Sequence, residues 1–437
     1  MMKKIFLPVA FFIFLAHSWA MDLSTPQSTL ADIFSSSVDP NEGNTVFRSM
    51  NIPSGGRTEA LGTAFVALAD DSSFFDFNPA ASAILEQSEI SVSHNAWIAD
   101  SALETVALTR RNGNLGYGTQ IKCFYVPFSE YNLYGDRVSG SYYSETSANF
   151  NIAYNFLAGY SFRGIAVGAN AKLAWRSVPD YTDNRTDAII PGSGLEQSAL
   201  GIMADTGVLV RFNALKYYQD RNPNLNLALS LNNFGAAFTG FGSSVKKDDD
   251  TPARISAGFS YKPFSRLTIS TEVRKPISIS SISSSGKISF GTGIETQVTK
   301  NFAFQLGFLL QGANPRFSLG SEFDISRIKM DVAYTLDLTS SMNPVNHISL
   351  SAKIKFGDRG RKIAMSKVDE CYLDGLKLYA EGNYDEAIVK WEEAILTAAR
   401  SPLNIKFEPA ILARETAINF NIQKAELENM YTIPSTD

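Results

Sequence analysis

Between Ser88 and Phe356 the chain alternates apolar and polar residues in short runs, and no apolar stretch there reaches helix length. Ala253, Ile255, Ala257, Phe259 and Tyr261 fall on one side of such a run, with Arg254, Ser256, Gly258, Ser260 and Lys262 on the other. The last run repeats it: Ile348, Leu350, Ala352, Ile354 and Phe356 oppose Ser349, Ser351, Lys353 and Lys355. A period of two belongs to a strand with one oily and one polar face. Fourteen strands are predicted. The first seven cover residues 89–97, 102–110, 114–125, 147–160, 163–175, 199–212 and 224–234. The second seven cover 253–262, 266–274, 287–297, 300–311, 315–323, 326–336 and 346–356.

An even count returns both ends of the array to one side. The odd-numbered connections then include the long ones, 126–146, 176–198, 235–252 and 275–286, while the others are as tight as Arg111-Asn112-Gly113 and Pro263-Phe264-Ser265. Long external loops and tight periplasmic turns mark an outer-membrane barrel. The connection 213–223 departs from that rule. Trp97, Tyr125, Tyr160, Trp175, Phe212, Tyr261, Phe323 and Phe356 stand near strand ends, as interfacial girdles require. A soluble sandwich or propeller also alternates. The lopsided loops and an export leader decide for an all-β transmembrane barrel of fourteen antiparallel strands, residues 88–356.

The leader is residues 1–20: Lys3 and Lys4 precede an apolar run over 5–16, and Ser18-Trp19-Ala20 offers small residues for cleavage. No Cys follows that run, which argues against a lipid anchor. Beyond it no segment approaches the ~18 apolar residues of a spanning helix. An exported chain in lipid then closes its backbone bonds only as a barrel. A mean hydropathy of −0.07 suits strands that are half apolar. The 44% apolar content of the 437 residues excludes a disordered protein. A net charge of −5 without any Lys/Arg block longer than two residues gives nucleic acid no footprint.

Residues 21–87 hold the most specific motif. Gly55, Gly56 and Gly62 punctuate a small-residue run ending at Asp70-Asp71, and Phe74-Phe75-Asp76-Phe77-Asn78-Pro79-Ala80 follows just before the first strand. This arrangement resembles the amino-terminal hatch of the FadL family of outer-membrane transporters. Thr251-Pro252-Ala253-Arg254, running into Tyr261-Lys262-Pro263-Phe264, is similar to that family's strand-turn-strand after a long loop. Within the superfamily the likeness is greatest to an uncharacterised spirochaete-type branch and more distant to PorV-like secretion proteins. The resemblance covers roughly 55–356 and implies a fourteen-stranded barrel plugged by the hatch, in agreement with the strand count. It implies ligand contacts at Asn78, Pro79 and Ala80 beside the third strand, with Gly56 and Gly62 as packing positions. It also implies a lateral gap at a kink in the third strand, where Gly116 and Gly118 tolerate a bend; the alternative is that these glycines only make room for packing. A periplasmic lid or strand-one turn is the competing reading of the hatch.

After Phe356 the period changes to about 3.6. Residues 357–368 read as a linker, and 369–399 match one tetratricopeptide repeat at Gly375, Leu378, Gly382, Tyr384, Ala387, Trp391 and Ala394, although Asp374 replaces an apolar position. A third helix is expected over about 405–430. This periplasmic TPR-like domain, 369–437, either caps the barrel rim or binds a periplasmic protein.

Catalysis finds little support. Only His94 and His347 remain after the leader, on first and last strands that must be neighbours, and no Gly-x-Ser-x-Gly elbow occurs. Asp248-Asp249-Asp250 beside Lys246-Lys247 reads as a solvated charge run before a calcium site. Cys123 and Cys371 fall in different predicted domains. No cofactor, metal or enzyme is expected. The resemblance implies a passive transporter of long-chain fatty acids or other hydrophobic molecules, in contact with outer-membrane lipid. The alternative is a barrel-anchored interaction protein for secretion or envelope assembly.

Overall fold

The computed structural model describes Phe34 and residues 38–431, apart from 99, 133, 184, 187, 221, 241–244, 340–345 and 401. The predicted leader, 1–20, lies outside the described residues. The barrel strands are β1 (Ser88–Ala96), β2 (Ala102–Asn112), β3 (Leu115–Tyr131), β4 (Arg137–Phe156), β5 (Ile165–Ser177), β6 (Ala199–Phe212) and β7 (Leu225–Thr239). They continue as β8 (Arg254–Phe264), β9 (Leu267–Pro276), β10 (Ser289–Thr299), β11 (Phe302–Gln311), β12 (Asn314–Ile325), β13 (Ile328–Asp337) and β14 (His347–Gly357). Each pairs antiparallel with its chain neighbours, and β14 returns to β1 with Ile354 opposite Ile90 and Ala352 opposite Val92. The barrel is closed.

Its polarity separates it from a soluble sandwich. Val106, Ile121, Phe150, Ile152, Ile202 and Leu229 face outward and are exposed, whereas Asn170, Asp205, Glu272, Gln305 and Lys353 face inward and are buried. Along β8, Ile255 and Phe259 are exposed while Arg254, Ser256 and Ser260 are buried. An oily outside around a polar inside suits lipid and not water. No described helix is long and apolar enough to cross a membrane.

Several strand boundaries differ from expectation, and β4 ends at Phe156 short of the expected 160. Most of 126–146, read as a loop, is a continuation of the β3–β4 ladder in which Val126 pairs with Tyr143 and Ser129 with Gly140. Beyond the oily zone a hairpin keeps its hydrogen bonds without an alternating pattern, so the pattern fades before the ladder does. β7 runs past Phe234 to Thr239 through an irregularity at Asn233, whose φ is 57°. The irregular connection 213–223 is held by Asn224, which accepts from the Ala214 N–H at 2.9 Å and donates to its carbonyl at 2.7 Å.

The tail forms α2 (Arg361–Ala380), α3 (Tyr384–Ala399) and α4 (Glu408–Tyr431). The predicted linker 357–368 is therefore too long. Gly357 completes β14, and the Asp358 carboxylate accepts from Gly360 N at 3.1 Å and Lys362 N at 2.8 Å, starting the helix at once. Gly375 lies beneath Trp391, where a Cβ would stand 2.4 Å from the indole nitrogen. Ala387 and Ala394 are buried beside it, Gly382 ends α2 at φ 86°, and the Tyr384 ring packs on Tyr379 and Phe420. The tail sits under the short-turn end of the barrel. Tyr160 N–H donates to Glu408 at 2.9 Å, Asn114 donates to the Asn404 carbonyl at 2.8 Å, and Phe407 meets the Tyr160 ring.

Candidate functional site

Residues 38–87 run down the lumen from the long-loop end to the short-turn end, where β1 begins. Small side chains let them pass. Gly56 opens a single helical turn, α1 (Gly56–Ala60), against the wall: a Cβ there would stand 2.9 Å from the Ser349 carbonyl. Gly62, at φ 59°, lies against the backbone of Phe308, 2.4 Å from where its Cβ would be. Both predicted packing positions thus meet wall backbone.

Asn78 is fully buried. Its amide donates to the Val66 carbonyl at 3.0 Å and the Val208 carbonyl at 3.3 Å, while its oxygen accepts from Ala80 N at 3.1 Å. That cap starts a short 3₁₀ turn, Pro79–Ala83, with Pro79 at its first position. The Pro79 carbonyl accepts from Asn151 at 2.9 Å. The turn that Asn78-Pro79-Ala80 opens reaches Gly116 of the third strand through Ser82 and Ala83, while the triplet itself lies further round the wall. It packs on Gly168 of β5 and Gly207 of β6, where added Cβ atoms would stand 2.3 Å from Pro79 O and 2.2 Å from Asn78 Oδ1.

The expected lateral gap is absent from this structure. Gly116 pairs with Arg111 and Ala153, and Gly118 with Thr109 and Asn151, so β3 is bonded on both sides at each position. Both glycines face inward and clear space for the hatch. A Cβ on Gly116 would stand 2.1 Å from the Ser82 carbonyl carbon, and one on Gly118 3.0 Å from the Phe75 ring.

The fastenings that sequence reading missed are charged. The buried Arg57 guanidinium pairs with Asp70, with Glu295 at 2.7 Å, with Asp71 at 3.1 Å and with Glu322 at 3.4 Å, joining the hatch to β10 and β12. Lys353 of β14 reaches Asp71 and Asp331, both at 2.8 Å, and Lys122 of β3 reaches Asp76 at 3.2 Å. Glu272 of β9 accepts from Phe65 N at 2.9 Å and Val66 N at 2.8 Å. Opposite charges that share a buried site must be paired and hydrogen-bonded to be tolerated. The only sequence signal was the presence of Lys, Asp and Glu at inward positions of otherwise oily strands. Below the hatch a cavity of about 460 Å³ opens at the short-turn end, lined by Asp71, Arg211, Lys262, Glu322 and Lys355 among others.

The two histidines face opposite sides of the wall. His94 is half-exposed and bonds Glu104 at 2.7 Å, while His347 is buried inside against Glu59 and the Trp97 ring. They form no joint site. Asp248 pairs with Arg176 at 3.0 Å, and Asp250 accepts from Ser278 and Ser280, so these two members of the acidic run have protein partners. No group of three or more metal-ligating side chains occurs among the described residues.

The chain belongs to the uncharacterised protein family UPF0164, whose profile matches residues 24–359. A UPF0164 protein of Treponema pallidum (strain Nichols) is 29% identical over 389 residues, spanning 86% of this chain and 84% of its own. A second from the same organism is 28% identical, spanning 83% of this chain and 73% of its own. Among solved structures, the CymD monoaromatic hydrocarbon channel is similar with a TM-score of 0.48 at 13% identity, over 70% of this chain and 98% of that one. The Ralstonia pickettii toluene transporter TbuX follows with a TM-score of 0.45 at 15% identity, over 71% of this chain and 98% of that one.

Proposed function

We propose that this protein is an outer-membrane barrel that admits small hydrophobic molecules, long-chain fatty acids among them, through a lumen closed by its own hatch. The short turns and helical tail face the periplasm. One observation carries the reading: the hatch is a through-running segment fastened to the wall at several points by polar side chains, Arg57, Lys353, Lys122, Glu272 and Asn151. Hydrogen bonds and ion pairs exchange for bonds to water at modest net cost. A hatch held this way can shift without unfolding the wall, whose strands satisfy one another. A barrel serving only as an anchor needs no more than about eight strands, which side chains alone can fill.

The test is uptake by proteoliposomes of radiolabelled oleate and of toluene, against liposomes without protein. Uptake of either above that background supports transport, and the pair separates an acyl-chain ligand from an aromatic one. A second reading, a scaffold for a periplasmic partner, is favoured by one observation. Ile422, Leu427 and Met430 are exposed towards the far end of α4. Stable co-purification through the tail, with no uptake, would favour it.

A further inference from the structure

Across the long-loop mouth lies a strap, residues 38–53, ahead of the hatch proper. It is fastened on several sides. The Asp39 carboxylate accepts from Lys287 N at 2.6 Å, Val46 N donates to the Asp250 carbonyl at 3.1 Å, and Ser49 N donates to Glu145 at 3.1 Å. These contacts join the strap to the β9–β10 connection, the β7–β8 connection and β4.

The largest side chain the strap buries is Phe47. Its ring lies over Gly201, in a cluster with the small residues Ala174, Ala199 and Ala237 and with Met203 that Val46 and Met50 of the strap share. A Cβ on Gly201 would stand 2.7 Å from the ring, so the absence of that carbon makes the seat. Next to this notch the same three strands turn polar on their inner faces, with Asn170, Lys172, Asp205, Ser230 and Asn232 buried there, while Ala166 and Leu209 lie further along. An oily seat in a polar lumen is not needed to close the barrel. Phe47 also holds φ 52°, ψ 44°, a left-handed conformation that a bulky side chain adopts only under constraint.

We infer that this notch is a receiving site for a compact hydrophobic group, a phenyl ring or short branched alkyl, which takes the place of Phe47 and frees the strap from the mouth. The inference rests on the transport reading for its purpose but not for its test. Phe47 is an internal competitor. A ligand that displaces it relieves the left-handed backbone and leaves the strap on Val46, Met50 and its polar fastenings. A dry apolar cavity of benzyl size binds benzene-like molecules when the chain's own group is removed. The competition lowers apparent affinity by the fraction of time the ring is seated.

The experiment is a ¹⁹F NMR titration of the purified, detergent-solubilised full chain with fluorobenzene. Phe47→Ala should bind one equivalent at least tenfold more tightly than the wild type, and adding Ala237→Leu to fill the notch should abolish the gain. Equal affinity in Phe47→Ala and the wild type, or undiminished binding in the double variant, would overturn the site. If Phe47→Ala does not assemble, judged by heat-modifiable mobility, the comparison moves to wild type against Ala237→Leu, with weaker binding expected in the latter and equal binding overturning the site. Saturating fluorobenzene should also raise amide exchange across 38–53 in the wild type severalfold, and unchanged exchange would overturn the release of the strap. Binding here without any transport would overturn the transport reading alone; transport without binding here would overturn only this one.

Discussion

Gly62 of the hatch lies backbone to backbone against Gly307 of β11: a Cβ on Gly307 would stand 2.0 Å from the Gly62 nitrogen. Gly291 and Gly293 of β10 line the same contact, 2.5 Å and 2.6 Å from the Gly62 and Leu61 carbonyl oxygens by the same measure. The wall has given up side chains so that a second layer of backbone fits inside it.

Gly307→Val should therefore unseat the hatch while leaving the barrel closed, because strand pairing does not involve that side of the residue. An inserted side chain of this size costs about 1–3 kcal/mol even where neighbours can move, and backbone moves least. The expected outcome is normal heat-modifiable mobility with ion conductance in planar bilayers raised several-fold over the wild type. A silent, well-assembled variant would show that the contact is looser than the structure has it.

Arg57→Ala removes the one cation shared by Asp70, Asp71, Glu295 and Glu322. Asp71 keeps Lys353 and Glu322 keeps Lys329, but Glu295 loses its cation, and leaving a buried carboxylate without its partner costs roughly 3–5 kcal/mol. That loss falls on the seating of the hatch, since Glu295 and Glu322 belong to strands paired on both sides. Limited proteolysis within 54–87 should become at least tenfold faster, while the strands stay protected. Protection of 54–87 equal to the wild type would count against a charge-held hatch.

Truncation after Gly357 should leave a barrel that still inserts. The tail touches the rim at the turns around Asn114 and Tyr160 and at the Leu85 carbonyl, which accepts from Arg361 at 3.0 Å, but it supplies no strand. Heat-modifiable mobility and outer-membrane fractionation of the truncated chain check this. Failure to insert would make the helices part of barrel assembly.

Asp250 ties two long-loop connections together, accepting from Ser278 Oγ at 2.6 Å and from Ser280 N at 2.9 Å. Partial burial pushes its carboxyl up, but the bonds from Ser278 and Ser280 and the nearby Lys247 outweigh that and hold it below the usual carboxylate range. With the folded value depressed, the stabilisation is present above the unfolded pKa, about 3.9, and is lost as pH falls through the folded value. At neutral pH, Asp250→Asn should mimic that acid state and speed amide exchange over 277–288 a few-fold. Exchange unchanged from the wild type would mean the serines hold that connection without the charge.

Much of the barrel was legible because lipid and lumen impose opposite demands on successive residues, and Ile255 and Arg254 answer them side by side. The hatch was legible through its small residues, Gly56 and Gly62 above all. The wall glycines were not. For Gly116 and Gly118 the sequence leaves a bend in β3 and room for packing as alternatives, since one residue type serves both a bulge and a close approach, and only the folded hatch shows that packing is the answer. Arg57 gave no local signal, because its partner Glu295 lies 238 residues away. The seat of Phe47 was equally hidden: Ala174, Gly201 and Ala237 come from three strands, and a small residue at an inward position says nothing until something fills it.

The central claim is that hydrophobic molecules pass only when the hatch moves. A Cβ on Gly55 would stand 3.7 Å from the Ser351 Cβ of β14, within the range a disulfide spans. Gly55→Cys with Ser351→Cys, and with Cys123 and Cys371 replaced by serine, gives one protein whose hatch is locked by oxidation and freed by reduction. Any strain at Gly55, φ 95°, is common to both states. Uptake of oleate or toluene by proteoliposomes should fall at least tenfold on oxidation and return on reduction; equal uptake in the two states would contradict the account.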